Sequence, residues 1–208
     1  MFFKKFAPAL TLVGFVVLLI VIVAFVSSIW PTQENWFIEL GLLGSNKTAD
    51  AYFYNFDSTL EAGVQNTWYL YVHNHMDRVQ DISIRIKILN STMTLPNDIE
   101  NEYSPYVHFT ELPLSLSINE TILVPFTWSI PEVLIQTDSV VIKRLMVNNQ
   151  IYDVDIMTFS DSFFRMVFEL WVYDDSSQEY EFGWNLEENM FSASLYIGFK
   201  AVSVLDPY

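Results

Sequence analysis

From Phe6 to Ile29 the chain reads FAPALTLVGFVVLLIVIVAFVSSI, and no residue in that run is charged. As a helix, Ala7 to Ile29 would be about 34 Å long at about 1.5 Å per residue, enough to cross a hydrocarbon core. A cleaved export signal would have a shorter apolar core, about 7–15 residues, followed by a small-x-small site. Only Val26-x-Ser28 approaches such a site, so the run reads as an uncleaved anchor. Lys4 and Lys5 precede it, while Trp30, Pro31 and then Glu34 follow. Positive charge stays on the cytoplasmic side, which places the N-terminus inside and residues 31–208 outside the cell membrane. Trp30 and Trp36 suit the outer interfacial belt.

Orientation decides a motif that would otherwise mislead. The stretch ELGLLGSNKT, Glu39 to Thr48, is one residue away from the phosphate-gripping pattern G-x-x-x-x-G-K-[ST]. That loop needs its second glycine so that backbone can approach the phosphates, and Asn46 stands there instead. It should also lead into a helix, whereas ADAYFYNF alternates. No nucleotide is expected. The same residues fit a glycosylation acceptor, Asn46-Lys-Thr48, as do Asn90-Ser-Thr92 and Asn119-Glu-Thr121. All three fall on the side where glycans are added.

Charge narrows the partners further. Acidic residues number 25 against 10 basic, a formal net charge of -15, which repels phosphate backbones and excludes nucleic acid as a natural ligand. Cysteine is absent, so disulfides and thiolate metal sites are excluded.

Past Pro31 short alternating or apolar runs are broken by turn residues, the signature of β structure. Strands are expected near Trp36–Leu43, Ala49–Asn55, Thr67–His75, Asp81–Leu89, Tyr106–Ser117, Thr121–Ser129, Ser139–Val147, Tyr152–Phe159 and Phe163–Tyr173. Ile130-Pro131 reads as a separator, and Asn148-Asn149 as a hairpin turn. In DISIRIKIL, Ile82, Ile84, Ile86 and Ile88 face one way and Ser83, Arg85 and Lys87 the other, as in a half-buried strand. Asn90–Tyr106 reads as a long polar loop. The expected organisation is mainly β: a tip and transmembrane helix over 1–30, an immunoglobulin-like antiparallel β-sandwich over 31–173, and an acidic, aromatic extension over 174–208. That extension has three open fates: packing on the sandwich, pairing as a further strand, or meeting a partner.

FIELGLLGSNKTADAYFYN, then Gly63, then WYLYVHNHMDRVQDISIRIKIL and later FFRMVFELWVY together resemble the archaeal, membrane-anchored domain-of-unknown-function 1616 family. The matching positions are Glu39, Leu40, Leu43, Gly44, Tyr54, Asn55, Gly63, Val72, Asn74, His75, Arg165, Leu170 and Trp171, covering roughly residues 36–173. Two departures stand out: members often have several membrane helices, and Met76 replaces a frequent acidic residue after Asn-His. The resemblance implies an outside domain with a turn at Asn74-His75, where asparagine would suit left-handed backbone. It implies no activity.

His73 and His75 on a strand would share a face, as copper and zinc sites require, with His108 as a third candidate ligand. Against this, two histidines do not complete a coordination shell, and no cofactor is expected. Asp153-x-Asp155, Asp174-Asp175 and Glu187-Glu188 lack the spacing of a calcium loop and read as solvated surface. Trp68, Trp128 and Trp171 read as core rather than a sugar-stacking platform. No catalytic set is complete, so the expected role is non-catalytic: an accessory subunit of a membrane protein complex, or a surface interaction module, with the bilayer and other membrane subunits as partners. The alternatives are a copper-handling component of a redox complex using His73 and His75, and an envelope- or carbohydrate-binding module.

Overall fold

The computed structural model describes residues 37–53, 57–182 and 194–202, together with residue 20. Contacts divide the chain into two units, Met1–Glu34 and Asn35–Tyr208. The expected anchor over 1–30 therefore falls outside the described residues, apart from Ile20; among those described, no helix is long and apolar enough to cross a membrane.

The second unit is mainly β. Its strands are β1 (Ile38–Leu43), β2 (Thr59–Glu61), β3 (Asn66–Asn74), β4 (Gln80–Asn90), β5 (Thr110–Leu116), β6 (Thr121–Ile135), β7 (Ser139–Val147), β8 (Gln150–Phe159), β9 (Phe164–Asp174), β10 (Glu179–Phe182) and β11 (Ser194–Val202). They form two sheets. One runs β1-β3-β6-β7-β8, and the other runs β2-β11-β9-β4-β5 with β10 also on β9. Alternation in β3 sends Trp68, Leu70 and Val72 inward, where with Phe126, Trp128, Ile142 and Leu145 they meet Ile82, Ile84 and Ile86 of β4 and Phe168 of β9. Aromatic rings bridge the sheets: Trp128 to Phe199 at 5.2 Å and Phe126 to Phe168 at 5.3 Å between centroids. Offset and edge-on contacts of this kind add to the burial that holds a sandwich closed.

The hairpin at Asn148-Asn149 forms as expected, with φ of 48° and 68°. Both central residues of such a two-residue turn need positive φ, which asparagine tolerates and β-branched residues do not. Asn149→Val should therefore cost about 1–2 kcal/mol in a denaturant melt, and Asn149→Gly almost nothing. Equal losses from both would place the strain elsewhere.

Several boundaries differ from expectation, each for a local reason. Residues 49–53 form no strand. Gly44 turns the chain so tightly that a Cβ there would lie 2.0 Å from the Ala51 carbonyl oxygen. The loop folds back, with Gly44 N–H on Thr48 O at 2.8 Å and Ser45 N–H on Ala51 O at 3.1 Å. Its aromatic residues are used there: the Trp68 indole N–H donates to Tyr52 O, and Phe53 packs edge-on to Trp68. β6 does not stop at Ile130-Pro131 but continues to Ile135, with Pro131 lying where the register with β7 shifts between Ser129 and Glu132. A bulge is where a strand tolerates a residue without an N–H. β4 is not half-buried either: Ser83 and Lys87, on the face expected to be wet, are each only 2% exposed.

Of the three fates open to 174–208, its described part takes two: it pairs as strands, and Phe199 and Ala201 pack into the core of the sandwich. β9 runs on to Asp174, β10 pairs antiparallel with its end, and β11 pairs antiparallel with its start and parallel with β2.

Candidate functional site

What covers the second face of β4 is the segment 91–109, which joins β4 to β5 as a strap across the outside of the second sheet. Its anchor is a buried ion pair. Lys87 on β4 and Glu169 on β9 are 2% and 0% exposed, with Nζ 2.7 Å from Oε2. In the ladder Glu169 lies opposite Arg85, so Lys87 reaches it diagonally. Arg85 instead stacks its guanidinium on the Trp171 ring at 3.7 Å, near Glu111 at 3.8 Å. Both members of the buried pair also hold the strap: Lys87 Nζ donates to the Ser104 carbonyl at 2.6 Å, and the Ser104 N–H donates to Glu169 Oε1 at 2.9 Å. The Trp171 indole N–H adds a bond to Glu169 Oε2 at 3.3 Å. Next along the strap, Tyr103 packs on Trp171 and Phe182, and at one side Asp98 accepts from the Ser194 N–H and hydroxyl.

Burial pushes the Lys87 ammonium below the ordinary lysine pKa, and the adjoining Glu169 pulls it back up. A lysine with a lowered pKa invites a catalytic reading, but neither this amine nor its carboxylate partner can touch a solute. Their chemistry is structural: two charges and one peptide group satisfy one another in a dry setting. The strap they hold projects apolar side chains into water, Ile99 at 86% exposed and Val107 at 90%, beside the half-exposed Tyr103. Single exposed aliphatic residues are unremarkable. Here two of them stand out on one loop that is hydrogen-bonded to the sheet at Ser104.

A second constellation lies at the end of the sandwich where β1 begins. Asn74 is the last residue of β3, fully buried, and does not adopt the left-handed backbone implied for it. Its side-chain amide instead donates to the carbonyls of Arg78, Leu116 and Ser117 at 2.9, 3.2 and 2.9 Å, and its oxygen accepts the Met76 N–H at 2.8 Å. One side chain thus ties the β3–β4 turn to the β5–β6 turn.

The histidines come together only in part. His73 and His75 have ring centroids 4.0 Å apart, yet each is engaged: His73 Nδ1 with the Thr121 hydroxyl, and His75 Nε2 with Glu39 at 3.2 Å. Phe37 stacks on His75 at 4.1 Å. His108 is not with them; it lies before β5 in the other sheet, 4.0 Å from Glu111. Among the described residues no group of three His, Cys, Asp or Glu is placed to hold a metal ion. Asp155 pairs with Lys143, and Asp174 accepts from Ser176, while Glu187-Glu188 lie outside the described residues. Trp68 and Trp128 sit between the sheets, whereas Trp171 lies under the strap.

The near-phosphate loop leads to no helix in 49–53, and Lys47 rests over the Tyr69 ring at 5.0 Å. Of the acceptor asparagines, Asn46 and Asn119 are exposed, whereas Asn90 is half-buried with its amide on Met157 O at 2.8 Å. Sequence reasoning placed Lys87 on a wet face and missed Glu169 and Ser104 altogether. The signal was present in the charged residues Arg85, Lys87 and Glu169 set within the otherwise apolar stretches IRIKIL and MVFELWV, which call for partners when both faces are covered.

No family model matches the chain. No curated protein matches it either. Among solved structures, the CARDB domain of a Pyrococcus furiosus protein, crystallised in complex with di-metal ions, is similar at 11% identity, over 80% of this chain and 89% of its own, with a TM-score of 0.39. That likeness is too slight to carry residues or roles across, and the two sheets stand on their own pairings.

Proposed function

We propose that this chain is a single-pass membrane protein of the archaeal 1616 type, anchored by residues 7–29, whose immunoglobulin-like sandwich faces the exterior as a non-catalytic accessory subunit of a membrane protein complex. The charge asymmetry of Lys4 and Lys5 supports the orientation. The immunoglobulin-like reading is supported by the β11-β9-β4-β5 order opposite β1-β3-β6, and by a short strand running parallel to the last one. The single observation that carries the role is the strap. Ile99, Tyr103 and Val107 are held outward by a loop that is itself locked to the sheet, so they meet a partner with little further ordering. Its partner is an apolar surface on a neighbouring membrane subunit.

Protease added to intact cells should remove a C-terminal tag, and protein extracted in mild detergent should migrate well above monomer size. Ile99→Ser with Val107→Ser should abolish that migration while leaving the melting temperature within a degree or two, since exposed sites contribute about 0.5 kcal/mol or less. A protein that migrates as a monomer in every mild detergent tried overturns the subunit role.

A further inference from the structure

Three acceptor motifs share one chemistry but not one geometry, and the differences single out a modification site. We propose that Asn46 carries an N-linked glycan in the native protein and that Asn90 does not. The inference rests on the exterior placement proposed above. N-glycosylation needs two groups of the motif presented together, the asparagine amide nitrogen and the hydroxyl two residues on.

At Asn90 the nitrogen is spent. It donates to Met157 O at 2.8 Å, joining β4 of one sheet to β8 of the other, while Oδ1 accepts from the Thr92 N–H at 2.9 Å and the Met93 N–H at 3.0 Å. A sugar there would break the link between the sheet edges. At Asn119 the amide is exposed on a left-handed turn, φ 57°, but the partner hydroxyl of Thr121 is in contact with His73 Nδ1. Only at Asn46 do both groups touch nothing beyond their own exposed loop. Asn46 and Thr48 are exposed at the tip of the folded-back loop, with Lys47 between them at φ 63°. The Thr48 hydroxyl bonds to Asn46 Oδ1 at 2.6 Å, within the motif itself, and Asp50 Oδ1 is the other group touching it. Asn46 Nδ2 has a single long contact, 3.5 Å to Asp50 Oδ1. The tip is also rigid: it is closed by the Gly44 and Ser45 backbone bonds and tied behind by the Tyr52 hydroxyl on Leu42 O at 3.0 Å. The loop that imitates a phosphate grip is built to hold an asparagine out from the protein.

The donor is an oligosaccharide linked through its anomeric carbon to a lipid phosphate. Asn46 Nδ2 loses a proton and forms the bond to that carbon, and the carbon–oxygen bond to phosphate breaks with the lipid phosphate leaving on its electron pair. The test is mass spectrometry of peptides from protein isolated out of its own membranes. The peptide holding Asn46 is expected to carry sugar mass and the Asn90 peptide none. Asn46→Gln and Thr48→Ala should each lose the modification, and Thr48→Ser should keep it, which separates loss of the acceptor from damage to the loop. A bare Asn46 peptide, or sugar on Asn90, overturns the assignment. If Asn46 is bare while the C-terminal tag is digestible from outside, the glycan assignment alone falls; if the tag is protected, the exterior placement falls with it.

Discussion

Lys87→Met should lower the unfolding free energy of the sandwich by about 3–5 kcal/mol, because it strands a buried carboxylate without its counter-charge. The loss should be visible twice. The denaturant midpoint falls, and the strap becomes open to proteolysis between residues 91 and 109, since Ser104 O loses its donor. Lys87→Met combined with Glu169→Leu should recover part of the loss, because two apolar side chains no longer bury a lone charge. Recovery stays incomplete, for the Ser104 N–H and the Trp171 indole N–H then lack the acceptor they share. A single variant within about 1 kcal/mol of the parent, the range of an exposed pair, would mean that water reaches these groups.

Asn74→Leu should be comparably damaging. Leucine keeps the volume but leaves the carbonyls of Arg78, Leu116 and Ser117 short of a donor and the Met76 N–H short of an acceptor. At about 1–3 kcal/mol for each buried group left unmade, and allowing for non-additivity, the total should be about 4 kcal/mol. Denaturant unfolding measures it, and amide exchange should speed up first around Met76 and Glu120, whose turns the side chain joins. Asn74→Asp should be no milder, as it keeps the acceptor, removes both donors and buries a charge. An unchanged midpoint would show that these turns hold themselves.

The strands were legible where period-two alternation met a water-facing surface, as in β3 with Trp68, Leu70 and Val72 inward, and where a turn residue had a unique conformational reason, as at Asn148-Asn149. Misreadings arose where cover came from elsewhere in the chain. Nothing in DISIRIKIL says that a polar-looking segment will fold over its hydrophilic face, and nothing in 91–109 says that Ser104 will be drawn under while Ile99 and Val107 are left out. Composition marks a segment as wet, but hydrogen bonding to a distant acid and base can dry part of it. β11 was obscured by Gly198 in the middle of its alternation and β2 by its three-residue length. Asn74 was flagged through resemblance, and its reason, a set of four hydrogen bonds across two turns, needs coordinates to see.

The parallel pairing of β2 with β11 also governs when the domain can fold. Thr59 and Ala201 are far apart in the sequence, yet β2 and β11 are neighbours in one sheet. The β6-β7-β8 meander can assemble as soon as its own residues are available, and β9 can pair with β4 when it emerges, whereas β2 and the other edge of β9 must wait for β11. Closure across so much chain is slow, since loop entropy is spent before distant contacts return anything. The emerging polypeptide would therefore pass through a stage with one sheet built and the other unfinished along one edge of β9. β11 acts as a clasp on the second sheet, fastened only when everything from β2 to Val202 is available.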